Sequence, residues 1–109
     1  MFVSDKLLQI CKEKISFISI LNVEEMEDIY FELFELILNE IENASPNSFA
    51  HQDLVIISIR RSDYLLLSIS YVLQKENNPN LQKLGLYLKN KKFSELYYHI
   101  KNVQSKFQN

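Results

Sequence analysis

The sequence predicts an all-α protein, an antiparallel bundle of four or five helices. Three observations lead to that class. Apolar residues recur at three- and four-residue spacing through most of the chain, the period of helices that pack on one face. One Gly and two Pro serve all 109 residues, whereas sheet-rich folds need turn-forming residues at short intervals. The strongest breaks fall at Asn22, at Ala44-Ser45-Pro46-Asn47-Ser48 and at Asn77-Asn78-Pro79, and they leave segments of helical length between them.

A chain of 109 residues is one domain by size, residues 1–109 sharing one core. Folding buries only about two thirds of such a chain's surface, which leaves little room for a deep substrate cleft. Hydrophobic residues at 47% and charged residues at 24% give an ordinary globular balance, which argues against disorder.

Ser4 is a good N-cap for a first helix reaching to about Leu21. Leu7, Leu8, Cys11, Ile15 and Ile18 mark its apolar face, and Ile10, Phe17 and Leu21 widen it. Asn22 caps the second helix, with Glu25 completing a capping box, and the helix is expected to run to about Asn43. Its core stripe is Met26, Ile29, Tyr30, Leu33, Leu36, Ile37 and Ile41.

Residues 54–73 fit two templates. As a helix the segment is apolar nearly all round and would be the central buried helix of a bundle. As a β-hairpin turning at Arg61-Ser62-Asp63, it would pair Ile59 with Leu65, Ile57 with Leu67 and Val55 with Ile69, giving an α+β fold. The turn lacks Gly and Asn, and an isolated two-stranded sheet is marginal, so the helix is preferred. Asn78 and Pro79 are an N-cap and a first helical residue. Leu81, Leu84 and Leu88 follow at helical spacing. After a bend at Asn90-Lys91-Lys92, a last helix is marked by Phe93, Leu96, Ile100, Val103 and Phe107, with Gln108 and Asn109 fraying.

Charge is segregated. No Lys or Arg lies between Ile15 and Ile59, a span that carries −9, whereas residues 60–109 carry +6 and residues 1–14 carry +1. On the second helix Glu24, Glu25, Asp28, Glu32, Glu35 and Glu42 fall within roughly a quarter of the circumference and form a ridge, with Phe31 and Leu38 beside it. Apolar residues cover most of the remainder. That helix therefore lies between two neighbours, or part of its face awaits a partner. A charged face is commonly a solvated one, and basic C-terminal helices packed alongside would neutralise it. A ridge left open would attract a basic partner.

Catalytic, cofactor-binding and metal-ligating residues are not expected. His51 and His99 have no second ligand at metal-binding spacing. Cys11 sits on an apolar helical face, as buried inert thiols do. A phosphate-cradling glycine loop and an acidic calcium loop are both missing from the sequence. Lys89, Lys91, Lys92, Lys101 and Lys106, with Tyr87, Phe93, Tyr97 and Tyr98, form a candidate nucleic-acid patch. The acidic helix would repel phosphates, so nucleic acid ranks low among partners. If the 54–73 segment is helical, at least one of Arg60 and Arg61 should meet a carboxylate of the second helix.

Cys11 is a single cysteine, the N-terminus has no basic segment followed by an apolar run, and Arg60, Arg61 and Asp63 interrupt the longest apolar stretch. A cytoplasmic setting without membrane insertion is the expectation. Abundant Ile, Asn and Lys, with little Ala, Gly and Arg, suggest a bacterial or phage source. The expected function is binding and controlling another protein through Glu24, Glu25, Asp28, Phe31, Glu32, Glu35, Leu38 and Glu42. By analogy of class alone, small acidic helical inhibitors of the immunity-protein or antitoxin type work this way. The alternatives are a secretion or assembly chaperone or structural subunit using an apolar face, which could also self-associate, and a nucleic-acid-associated protein using the basic C-terminal half.

Overall fold

The computed structural model describes residues 3–44 and 51–107. Among the described residues there are five helices: α1 (Val3–Ser16), α2 (Val23–Ala44), α3 (His51–Gln74), α4 (Pro79–Lys89) and α5 (Phe93–Phe107). The connection at 45–48, the two C-terminal residues, and the side chains of His51, Asp53, Leu54 and Val55 lie outside the description.

The expected first helix stops five residues early, at Ser16. Its end tightens through the Phe17 N–H to Lys14 O (3.4 Å) and Ile18 N–H to Ile15 O (3.1 Å) bonds. The run Ile15-Ser16-Phe17-Ile18-Ser19-Ile20 is a poor helix former. Its backbone is instead captured by α4: Asn80 Nδ2 donates to Ile18 O (3.2 Å) and Ser19 O (3.3 Å), and Lys83 Nζ donates to Leu21 O (2.5 Å). This geometry buries Leu21 while leaving Phe17 90% and Ile20 80% exposed, so Phe17 is no part of the core face.

The start of α2 is the expected capping box, with Asn22 Oδ1 accepting from Glu25 N–H (2.8 Å) and Glu25 Oε1 accepting from Asn22 N–H (3.4 Å). Met26, Ile29, Tyr30, Leu33, Ile37 and Ile41 are buried as predicted, and Phe34, outside the predicted stripe, is buried with them. Asn78 Oδ1 caps α4 at Asn80 N–H (2.8 Å) and Leu81 N–H (3.3 Å), with Pro79 in the first turn.

The 54–73 segment is helical throughout, and among the described residues no strand forms. A hairpin would bury one apolar face, whereas α3 packs against α1, α2, α4 and α5 together. It is central without being buried all round: Ile56, Ile57, Tyr64, Tyr71 and Val72 are exposed. Two of its serines find carbonyl partners, since Ser62 Oγ donates to Ser58 O (2.7 Å) one turn back in the helix and Ser70 Oγ donates to Gly85 O (2.6 Å). The second of these bonds ties α3 to α4, its most extensive neighbour.

Buried side chains from all five helices merge into one cluster, from Leu7 in α1 to Phe93 in α5. Phe93 is fully buried and stacks on Phe34 (centroids 4.6 Å apart) and on Tyr97 (5.9 Å). The start of α5 is capped across the fold, because Asp63 Oδ1 accepts from Ser94 N–H (2.9 Å). Beyond Ile100 the helix leaves the body. Val103 is 38% and Phe107 86% exposed, so the predicted apolar stripe of α5 ends earlier than its periodicity implies.

Candidate functional site

Local chemistry builds the ridge on α2, because its carboxylates sit at helical spacing on a helix whose opposite face is the core. Glu24, Asp28, Glu35 and Glu42 are exposed, while Glu25 and Glu32 are half-buried. Glu25 is held by the capping box, and Glu32 Oε2 lies 3.3 Å from Lys14 Nζ. Among the described residues the other ion pair, Lys12 with Glu76 (3.2 Å), lies off α2, so the lysines of the C-terminal half do not pair with the ridge.

Phe31 stands 47% exposed beside these carboxylates, tilted against Tyr30 with centroids 5.8 Å apart. An apolar groove of about 230 Å³ runs between α2 and α5, lined by Phe31, Phe34, Leu38, Leu96 and Ile100, with Glu35 at its lip. Most of the apolar surface of α2 packs on neighbouring helices, and a strip at Phe31 and Leu38 stays partly open. The ridge was legible as a charge pattern. The contribution of Leu96 and Ile100 was not, because it depends on where α5 docks in the fold.

The remaining candidates resolve differently. Arg60 and Arg61 are both exposed, and neither forms an ion pair with a described carboxylate of α2. Arg61 only shares a shallow depression with Glu40. The expected pairing fails because both guanidinium groups reach solvent and need no buried counter-charge. The predicted nucleic-acid patch is divided. Phe93 belongs to the core and Tyr97 packs on it, Lys101 and Lys106 lie exposed on α5, and Lys89, Lys91 and Lys92 gather opposite α3. His99 is exposed, and the described residues hold no group of three or more metal-ligating side chains.

Cys11 is buried, as its helical position predicts, and burial pushes its thiol from 9.0 up to about 12. Burial likewise raises the Tyr30 hydroxyl from 10.0 to about 12, with Glu95, Asp63 and Tyr87 adding to the shift. Both groups stay protonated in the fold at a pH where the unfolded chain ionises. The stabilisation is therefore complete below about pH 9 and is lost as pH rises toward 12, by up to about 1.4 kcal/mol per pH unit for Cys11. Urea unfolding followed between about pH 8 and pH 11 should show this decline. Cys11→Ala should flatten it, and an equal slope in that variant would contradict the assignment.

No family model, curated protein or solved structure matches the chain. Among the described residues no helix is long and apolar enough to cross a membrane.

Proposed function

We propose that the chain binds a partner protein with a basic surface through the ridge and groove of α2, and controls that partner by covering it. It would act in the cytoplasm as an inhibitor of the immunity-protein or antitoxin kind. The observation that carries this reading is that Glu24, Asp28, Glu35 and Glu42 stand exposed and unmatched by the chain's own described lysines, beside an exposed Phe31. Opposed potentials steer and select such a partner, and an apolar anchor next to them supplies the desolvated centre that affinity needs.

The test is capture of the partner from the native host, followed by binding of the purified pair. Affinity should fall about tenfold or more between about 50 and 300 mM salt. Asp28→Lys with Glu35→Lys, chosen because Glu32 already pairs with Lys14, should weaken binding about a hundredfold. Unchanged affinity in that double variant would sink the proposal. A chaperone or structural-subunit reading has its own support in Phe17, Ile20 and Val23, exposed by 90%, 80% and 58% at the α1–α2 connection. Salt-insensitive binding, lost on Phe17→Ser with Ile20→Ser, would favour it instead.

A further inference from the structure

The α4–α5 turn and α3 border a cleft of about 440 Å³, and four of the seven side chains that line it are cationic. Arg60, Tyr64 and Leu67 project from successive turns of α3, and Lys89, Lys91 and Lys92 come from the turn opposite. Asp63 is the one carboxylate in the lining, and its Oδ1 is engaged by the Ser94 N–H at 2.9 Å. None of the four cations is ion-paired among the described residues.

Tyrosine rings outside the cleft lining lie against the ammonium groups of two of the lysines. Lys91 Nζ lies 4.9 Å from the Tyr87 ring centre and 5.9 Å from that of Tyr30, and Lys89 Nζ lies 6.0 Å from that of Tyr71. Glu27 and Glu95 share a neighbouring hollow with Lys91 and Lys92 but form no ion pair with them. Four cations drawn together around one engaged carboxylate repel one another, and an anion in the cleft relieves that repulsion. The volume falls within the range of about 300–1,000 Å³ usual for small-ligand sites.

We propose that this cleft binds a nucleotide, its phosphate held by Arg60 and Lys92 with Lys89 and Lys91 adding charge, and its base stacked on Tyr64. Arg60 offers the planar, multi-donor head that matches phosphate oxygens. Tyr64 is 71% exposed at the rim, which leaves a ring face open for stacking, and Leu67 supplies an apolar wall. The nucleotide is either free or part of a single strand, since both present the same phosphate and base. The site uses no residue of the α2 ridge, so either proposal can fail without the other.

Binding of ATP, of a single-stranded oligothymidylate of about 12 nucleotides, and of pyrophosphate to the full chain tests the idea. Arg60→Gln with Lys92→Gln should weaken all three by about tenfold or more. Lys6→Gln with Lys75→Gln, which removes the same charge from exposed positions outside the cleft, should leave ATP binding unchanged. Tyr64→Leu should weaken ATP and the oligonucleotide by about tenfold and leave pyrophosphate unaffected. Saturable ATP binding that the oligonucleotide cannot better identifies a free nucleotide as the ligand, and affinity that grows with strand length identifies a strand. Circular dichroism confirms that each variant is folded. The proposal is overturned if neither base-bearing probe binds, if the two charge-removing pairs behave alike, or if Tyr64→Leu changes nothing.

Discussion

Replacing Phe93 with Ala is expected to lower the unfolding free energy by about 3–5 kcal/mol, the range for emptying a fully buried aromatic site. Phe93 has no exposed surface, stacks on Phe34 at 4.6 Å, and is the only fully sequestered residue of α5. Small domains have only about 5–15 kcal/mol in total, so the variant should be close to its folding limit. The other ties of α5 are weaker. Leu96, Tyr97 and Ile100 are half-buried, Tyr30 Oη donates to Lys92 O (3.1 Å), and Asp63 caps Ser94. The urea midpoint should drop with the slope little changed. The matched control is Phe107→Ala, on a side chain that is 86% exposed, with an expected effect within about 0.5 kcal/mol. A loss below about 1 kcal/mol at Phe93 would mean that α5 is not anchored through this stack.

Gly85→Ala should destabilise the chain by about 2 kcal/mol, although Ala is the better helix former. The propensity gain is about 1 kcal/mol. Against it, the new methyl would lie 2.7 Å from the Ser70 carbonyl oxygen and 3.0 Å from both the Gln74 backbone nitrogen and Cγ. Two of those neighbours are backbone and cannot turn aside, so α3 and α4 must separate. Overpacking of this kind costs about 1–3 kcal/mol. Separation also stretches the buried Ser70 Oγ to Gly85 O bond, whose loss costs about 1–3 kcal/mol more. Thermal unfolding should show a midpoint lowered by about 10 °C. A midpoint raised by the substitution would show that the two helices are not in such close contact.

How far the sequence could be read depended on the range of the interactions involved. The Asn22–Glu25 box and the Asn78–Pro79 start are local, closing within three residues, and both formed as expected. The core stripe of α2 followed from periodicity. The early end of α1 did not, because the hydrogen bonds that hold residues 18–21 come from Asn80 and Lys83, about sixty positions away. The outer limit of the α5 stripe was hidden for a related reason. Spacing shows that Val103 and Phe107 share a face, but only the extent of the neighbouring helices shows where that face loses its cover.

The sequence alone determined that this is a helical chain with opposed charge in its two halves, and it placed six carboxylates on one edge of α2. Helical period and side-chain charge are local properties, so they survive any arrangement of the segments. Only the tertiary structure decided between helix and hairpin at 54–73, since both templates fit the same residues and the choice rested on how many neighbours the segment could pack against. It also decided where the lysines of the C-terminal half went. Lys89, Lys91 and Lys92 gather with Arg60 against α3 and Lys101 and Lys106 stand exposed on α5, which leaves Glu24, Asp28, Glu35 and Glu42 without an ion pair among the described residues, and a distance in space between charges is something a linear pattern does not contain.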